Sequence, residues 1–352
     1  MLKPFSLFFF AGALLSAAPG VRAQQATIAH LGNTPKGATL NFPVVGLPDK
    51  AVARKINDYL QIHVLRQTTL KAPGGQVFDK VKWTENRSGI DAIDYTIQVN
   101  NTNLLSIGFD YEYMAAYPSG NQEYYTFNAQ NGEIVFVTDL FTPQGLTDLS
   151  AEIKRKRSDL IAAHLKELKN NPDAAESLDE IKNSLNDCNG EAHPDNFCVT
   201  ATGIIFHSVS CLPHVIASLD ADLDITYSFA QLRPYLSVFG QKLLNPAKQA
   251  IANDSFPSLQ KPLSGKIDNK YDIVVQLHFY GDHSVDGFYY YNNYQSAIEL
   301  SGKIEKDVLE LKERDKDDND AAVFTGTIHG TTISGTWTNL KTKKTMGFEV
   351  KN

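Results

Sequence analysis

From residue 265 to residue 352 the sequence offers seven short runs rich in β-branched and aromatic residues and almost no helical periodicity. The runs are Ile273 to Phe279, Gly287 to Tyr291, Ala297 to Ile304, Val308 to Lys312, Val323 to Ile328, Thr332 to Thr338 and Thr345 to Val350, with Gly, Asp and Asn at the turns between them. Short, evenly spaced strands of this kind bury a face by closing on themselves or by stacking in two layers. The region therefore predicts a small up-and-down barrel or sandwich.

Its richest patch is Phe288-Tyr289-Tyr290-Tyr291, with Tyr294, Phe279 and Tyr280 nearby. A period of two puts Phe288 and Tyr290 on one face and Tyr289 and Tyr291 on the other, so one set fills a core and the other is exposed. Exposed phenol rings suit stacking on a sugar or on a partner protein. Tyr289, Tyr291 and Tyr294 are the candidate binding residues on this ground.

The first half reads differently. Thr39 to Val45 is an extended run, and Asp49 is placed to cap a helix whose apolar positions Val52, Ile56, Leu60 and Val64 recur every four residues. Gly74-Gly75 breaks the chain before strands at Asp91 to Asn100 and Leu104 to Tyr113. Asn131-Gly132 is a hairpin signal between Tyr124 to Asn128 and Ile134 to Val137, because both residues tolerate positive φ. A helix capped by Thr147 or Asp148 runs to about Asn170, with Lys154 to Arg157 as a solvated basic stretch, and a second spans Ala174 to Asn186. The fold class expected is α+β: an N-terminal antiparallel sheet with packed helices, then a small all-β barrel-like or sandwich domain.

Two further strands follow at Asn196-Phe197 through Gly203-Ile204-Ile205-Phe206 and at Leu223 through Ile225-Thr226-Tyr227-Ser228 to Leu232, the second ending in a helix-starting Ser228. These motifs resemble an extracytoplasmic domain family of unknown function. So does the earlier Phe127-Asn128 to Gly132-Glu133-Ile134 hairpin with Asp139-Leu140-Phe141 behind it. That family forms the ectodomain of RsiV-type lysozyme-sensing anti-sigma factors and the non-catalytic part of PdaC-type peptidoglycan deacetylases. The resemblance covers about residues 39–240. Relatives carry a Gly-Gly-Ala-His turn where this chain has Ala115-Ala116-Tyr117-Pro118-Ser119-Gly120, so no ligand role of that turn carries over. At the other end, Ile333-Ser334-Gly335-Thr336-Trp337 resembles the Gly-x-Trp strand of calycin-like barrels.

Residues 1–23 read as a secretory signal peptide, with Lys3, an apolar run from Ser6 to Ala18, and Val21-Arg22-Ala23 at the cleavage point. The domains expected after it are 24–244, a linker at 245–264 rich in Pro, Ala and Ser, and 265–352. The apolar run is shorter than the ~20 residues of a bilayer span, so no stable membrane insertion is expected after its removal. Periplasmic or secreted localisation follows. A formal net charge of −7 argues against nucleic acid as a partner. Export makes a disulfide possible between two of Cys188, Cys198 and Cys211; Cys188 with Cys198 is favoured because they bracket a polar loop, leaving Cys211 buried and free.

Motifs for chemistry are sparse. No nucleophile elbow, zincin helix or phosphate-cradling loop meets its template. Cys211-Leu212-Pro213-His214 reads as structural, and His193 with Cys188 and Cys198 lacks zinc spacing. Asp315-x-Asp317-x-Asn319 lacks the glycine and terminal Glu of a calcium loop, and Asp220, Asp222 and Asp224 read as a solvated face. No metal, cofactor or catalytic residue is implied. The resemblance implies an exported binding protein that recognises peptidoglycan or lysozyme in the cell envelope. The alternatives are an envelope-polymer hydrolase or deacetylase with an unrecognised site, and a structural or assembly protein of the periplasm.

Overall fold

The computed structural model describes residues 25–33, 39–65, 90–114, 118–174, 177–191, 194–245, 259, 262–280, 283–293, 297–315 and 319–351. The expected signal peptide, Gly74-Gly75, His193, Tyr294 and most of the 245–264 segment lie outside these residues.

The N-terminal unit is built on a five-stranded sheet in the order β1 (Thr27–Asn33), β2 (Thr39–Gly46), β3 (Ile90–Asn100), β4 (Leu104–Met114), β5 (Pro118–Asn128). All neighbours are antiparallel except β2 with β3. Helix α1 (Lys50–Leu65) starts where Asp49 Oδ1 accepts the backbone N–H groups of Ala51 and Val52 at 2.8 and 3.3 Å. Its four-residue period buries Val52, Ile56, Leu60 and Val64 against Phe42, Ile93, Ile107, Phe109 and Phe127 of the sheet.

The Asn131-Gly132 turn forms, with Gly132 at φ +73°, where an added Cβ would sit 2.9 Å from the Val52 carbonyl. The returning strand is cut to a single bridge, Phe127 with Ile134. The reason is local: Asp139 Oδ2 accepts the Phe136 N–H at 2.9 Å and starts the one-turn helix α2 (Val137–Leu140) before a ladder can extend.

Helix α3 (Pro143–Leu168) begins ahead of the expected cap, because Thr142 Oγ1 accepts the Gly145 N–H at 3.0 Å and Pro143 fits the first turn. Its basic stretch is only partly solvated. Arg157 is buried and donates to the carbonyls of Leu223, Phe206 and His207, while Lys156 lies 3.8 Å from the Tyr227 ring centroid. Helix α4 (Leu178–Glu191) packs on α3 and leads to the antiparallel sheet β6 (Phe197–Val199), β7 (Gly203–Phe206), β8 (Ile225–Ser228). Ser228 then caps α5 (Phe229–Leu232) through a reciprocal pair with Gln231. A short α6 (Val238–Leu243) closes the unit.

The disulfide corrects the sequence expectation: Cys188 is joined to Cys211, with 5.6 Å between Cα atoms, and Cys198 is the free, buried thiol. Cys198 is fixed in the middle of β6, paired with Ile205, with its sulfur engaged by His207. The loop after β7 is what returns to the end of α4. Asp220 holds that loop by accepting from the Ser210 hydroxyl and from the N–H groups of Cys211 and Leu212.

The C-terminal unit is a closed eight-stranded barrel. The seven expected runs become β10 (Tyr271–Phe279), β11 (Ser284–Tyr291), β12 (Ile298–Glu305), β13 (Val308–Arg314), β14 (Asp320–His329), β15 (Thr332–Asn339) and β16 (Thr345–Lys351). The strand absent from the sequence reading is β9 (Leu263–Ile267), which pairs with both β10 and β16 and shuts the ring. Its two apolar ends and central Gly265 carry little strand signal, yet a Cβ at Gly265 would collide with the Glu349 carbonyl. Among the described residues no helix is long and apolar enough to cross a membrane.

Candidate functional site

Strands β10 and β11 have two buried faces. Ile273, Val275, Leu277 and Phe279 alternate inward to the barrel core, whereas Val274, Gln276 and His278 alternate outward and are covered by the N-terminal unit. On β11, Phe288 and Tyr290 face outward and pack with Val274 against Ile62 of α1. A hollow of about 360 Å³ remains between the units. Such a volume is at the small end of ligand sites.

Each wall has a sequence reason. Lys55, Tyr59 and His63 are spaced by four on α1, so they form one stripe beside its apolar stripe. The turn held by Asn131-Gly132 presents Glu133, Ile134 and Phe136. The outward positions of β10 to β13 add Gln276, His278, Asp286, Phe288, Glu299, Ser301 and Arg314. Tyr59 and His63 are stacked with centroids 4.1 Å apart, and Phe136 lies 4.7 Å from the His278 ring and 5.1 Å from Tyr280.

An ion cluster forms the floor. Lys55 Nζ donates to Glu133 Oε1, His278 Nδ1 lies 3.3 Å from Glu133 Oε2, and His278 Nε2 lies 3.6 Å from Asp139 Oδ2. Burial alone would lower the His278 pKa, but the Asp139 and Glu133 carboxylates outweigh it and hold the ring up at about 9. Burial lowers the Lys55 pKa, with Glu133 opposing the shift. Burial also raises the hydroxyls of Tyr59 and Tyr280, so both remain protonated at neutral pH. The lining and floor together hold Lys55, Arg314 and protonated His278 along with Glu133, Asp139, Asp286 and Glu299. Gln276 Nε2 donates to the Lys55 carbonyl at 3.3 Å, and its Oε1 has no hydrogen-bond partner among the described residues.

Of the tyrosines singled out from the sequence, Tyr289 and Tyr291 fall elsewhere, and Tyr294 lies outside the described residues. Tyr289 is 1% exposed inside the barrel, where its hydroxyl donates to Glu313 Oε2 at 2.8 Å beside the Trp337 indole N–H at 3.1 Å. Tyr291 is half-buried, edge-on to Tyr271 and Tyr289. The hollow uses the opposite face of the same strand. The signal for it was the polar pair Gln276 and His278 within the apolar run 273–279 of β10, and the Lys55, Tyr59, His63 stripe on α1. Neither amounts to a motif until the two elements meet.

A second cluster lies behind the Cys188–Cys211 disulfide. Cys198 Sγ is 3.2 Å from His207 Nε2, and His207 Nδ1 is 2.7 Å from Asp224 Oδ2. The order is that of a thiol nucleophile, base and orienting acid. Burial pushes the Cys198 thiol up to about 11, its residue is 1% exposed, and the Tyr124 ring covers His207 in a parallel stack at 4.0 Å. The thiol therefore stays protonated and buried, while His207 lines a second hollow with Arg157, Asn189 and Ser208. Among the described residues no group of three or more His, Cys, Asp or Glu is arranged to hold a metal ion.

No protein-family model and no curated protein matches the chain. Solved structures similar to it include a member of the DUF3298 family from Bacteroides fragilis, 15% identical with a TM-score of 0.44, covering 60% of this chain and 94% of that one. A DUF3298 family protein from Pseudomonas aeruginosa is 12% identical with a TM-score of 0.38, covering 63% of this chain and 95% of the other.

Proposed function

We propose that this chain is an exported, non-catalytic binding protein whose interdomain hollow takes a small, uncharged or zwitterionic ligand of the cell envelope. The observation that carries the reading is the hollow itself: about 360 Å³, walled by Tyr59, Phe136, Tyr280 and Phe288, over a floor where Lys55 and His278 are matched by Glu133 and Asp139. Aromatic faces beside hydrogen-bonding groups suit a sugar ring, and peptidoglycan fragments are the first class to test. A folded lysozyme cannot enter such a space and would dock on an outer surface.

Hydrolysis or deacetylation needs a base free to take a proton at working pH. Neither His278 nor Glu133 in the floor is in that state: His278 holds its proton to about pH 9, and Glu133 accepts from both Lys55 and His278. Calorimetric titration of the purified chain with soluble muropeptides tests the proposal. Binding with a Kd of about 1–100 μM, roughly −8 to −5 kcal/mol, without turnover of the ligand is the expected result. Retention of lysozyme but of no muropeptide moves the site away from the hollow, and retention of neither removes both ligands.

A further inference from the structure

Arg157 projects from α3 into the second hollow, about 320 Å³, which lies beside the Cys188–Cys211 disulfide. The residue is 3% exposed. Two of its three guanidinium nitrogens are committed: Nε donates to the Leu223 carbonyl at 2.9 Å, and Nη2 to those of Phe206 and His207 at 3.3 and 2.9 Å. These contacts tie α3 to the end of β7 and to the chain ahead of β8, and all three acceptors are neutral. Nη1 has no hydrogen-bond partner among the described residues and remains open to water on the side of the hollow. Burial lowers the Arg157 pKa and the Asp224 charge opposes the shift. Asp224 is spent elsewhere, on His207 Nδ1 and on the N–H and hydroxyl of Ser208, so no carboxylate is in ion-pair contact with Arg157 among the described residues. A buried guanidinium that meets only neutral acceptors and keeps one donor nitrogen free is complemented by an incoming anion, through a charge-assisted hydrogen bond.

The neighbouring groups narrow the anion. Asn196 is half-buried on the same lining, and its side-chain amide has no hydrogen bond among the described residues, so it supplies a second donor. The carbonyl end of α4 repels negative charge, but Lys154 Nζ donates to the Gly190 carbonyl at 2.6 Å and offsets it. Asp195 stands exposed on the lining, so one guanidinium offsets a single added charge here and not the two of a phosphate. We infer that this hollow is a second binding site, for the carboxylate of a small organic acid or of a peptide end, received by Arg157 Nη1 and the Asn196 amide. The site is separate from the interdomain hollow, and its test stands apart from the reading proposed there.

Trifluoroacetate and trifluoroacetamide are probes of nearly the same shape that differ in charge, and fluorine NMR follows both. With the whole chain, trifluoroacetate is expected to bind about tenfold tighter than the amide, the worth of a hydrogen bond between charged groups. In protein labelled with heavy nitrogen at arginine, the Arg157 guanidinium resonances shift during the titration. Acetate and N-acetylglycine both displace the probe, and the stronger competitor says whether a free acid or a peptide end is the source. Arg157→Gln abolishes the preference for the charged probe. Because that variant also loses ties to backbone carbonyls, Asn196→Leu serves beside it: it removes the second donor without breaking a hydrogen bond of the fold, and weakens trifluoroacetate about threefold. Equal affinity for the two probes, or binding that leaves the Arg157 resonances in place, overturns the site. Inorganic phosphate displacing the probe as well as acetate does overturns the carboxylate assignment. Folded Arg157→Gln with wild-type affinity overturns the role of Arg157, and unchanged affinity in Asn196→Leu overturns that of Asn196.

Discussion

The inner and outer faces of β10 and β11 are both buried, but by different means. Inward, Val275, Leu277, Val285 and Tyr289 are covered by the barrel's own strands. Outward, Gln276, His278, Phe288 and Tyr290 are covered only because α1 and the Gly132 turn lie over them. The inner face is apolar apart from the Glu313 carboxylate that ties Tyr289 to Trp337, whereas the outer face is polar and aromatic. One pair of strands thus separates stability from the proposed recognition by nothing more than the alternation of side chains.

That separation can be broken at either face. Phe324→Ala in the barrel core, where the ring packs against Tyr289 and Phe348, is expected to cost about 3–5 kcal/mol in urea unfolding while the folded fraction keeps its ligand affinity. Loss of binding by folded Phe324→Ala would show that the faces are coupled. On the outer face, raising pH is the next largest effect. The His278 pKa lies above its unfolded value of 6.5 at about 9, so its stabilisation is complete below about pH 6.5 and is lost as pH rises through 9. Melts between pH 7 and 10 should lose roughly 3 kcal/mol, and His278→Gln should flatten that dependence. Phe288→Leu keeps an apolar side chain but removes the ring; an affinity loss of about fivefold, ~1 kcal/mol, is expected by calorimetry. The smallest effect belongs to the inner face: Tyr289→Phe gives up one hydrogen bond to Glu313, about 1 kcal/mol of stability, with binding unchanged.

What the sequence made legible was local. The period of α1, its Asp49 cap, the Asn131-Gly132 turn and seven of the barrel strands are set by residues within a few positions of one another. The hollow is assembled over long separations: Lys55 meets Glu133 across 78 residues, and Glu133 meets His278 across 145. No spacing rule reaches that far. The cysteine pairing failed for a related reason, since nearness in sequence favoured Cys198 while the strand geometry of β6 turned that thiol to His207 instead. Alternation within Phe288 to Tyr291 was readable, but which face meets solvent depends on a second unit that alternation says nothing about.

Ring closure by Leu263–Ile267 has a further consequence for this molecule in a crowded compartment. With β9 hydrogen-bonded on both sides, the barrel presents no open ladder onto which another chain could zip. Among the described residues, the open rims from which cross-β assemblies could grow are those of the other two sheets, at β1 and β5 or at β6 and β8.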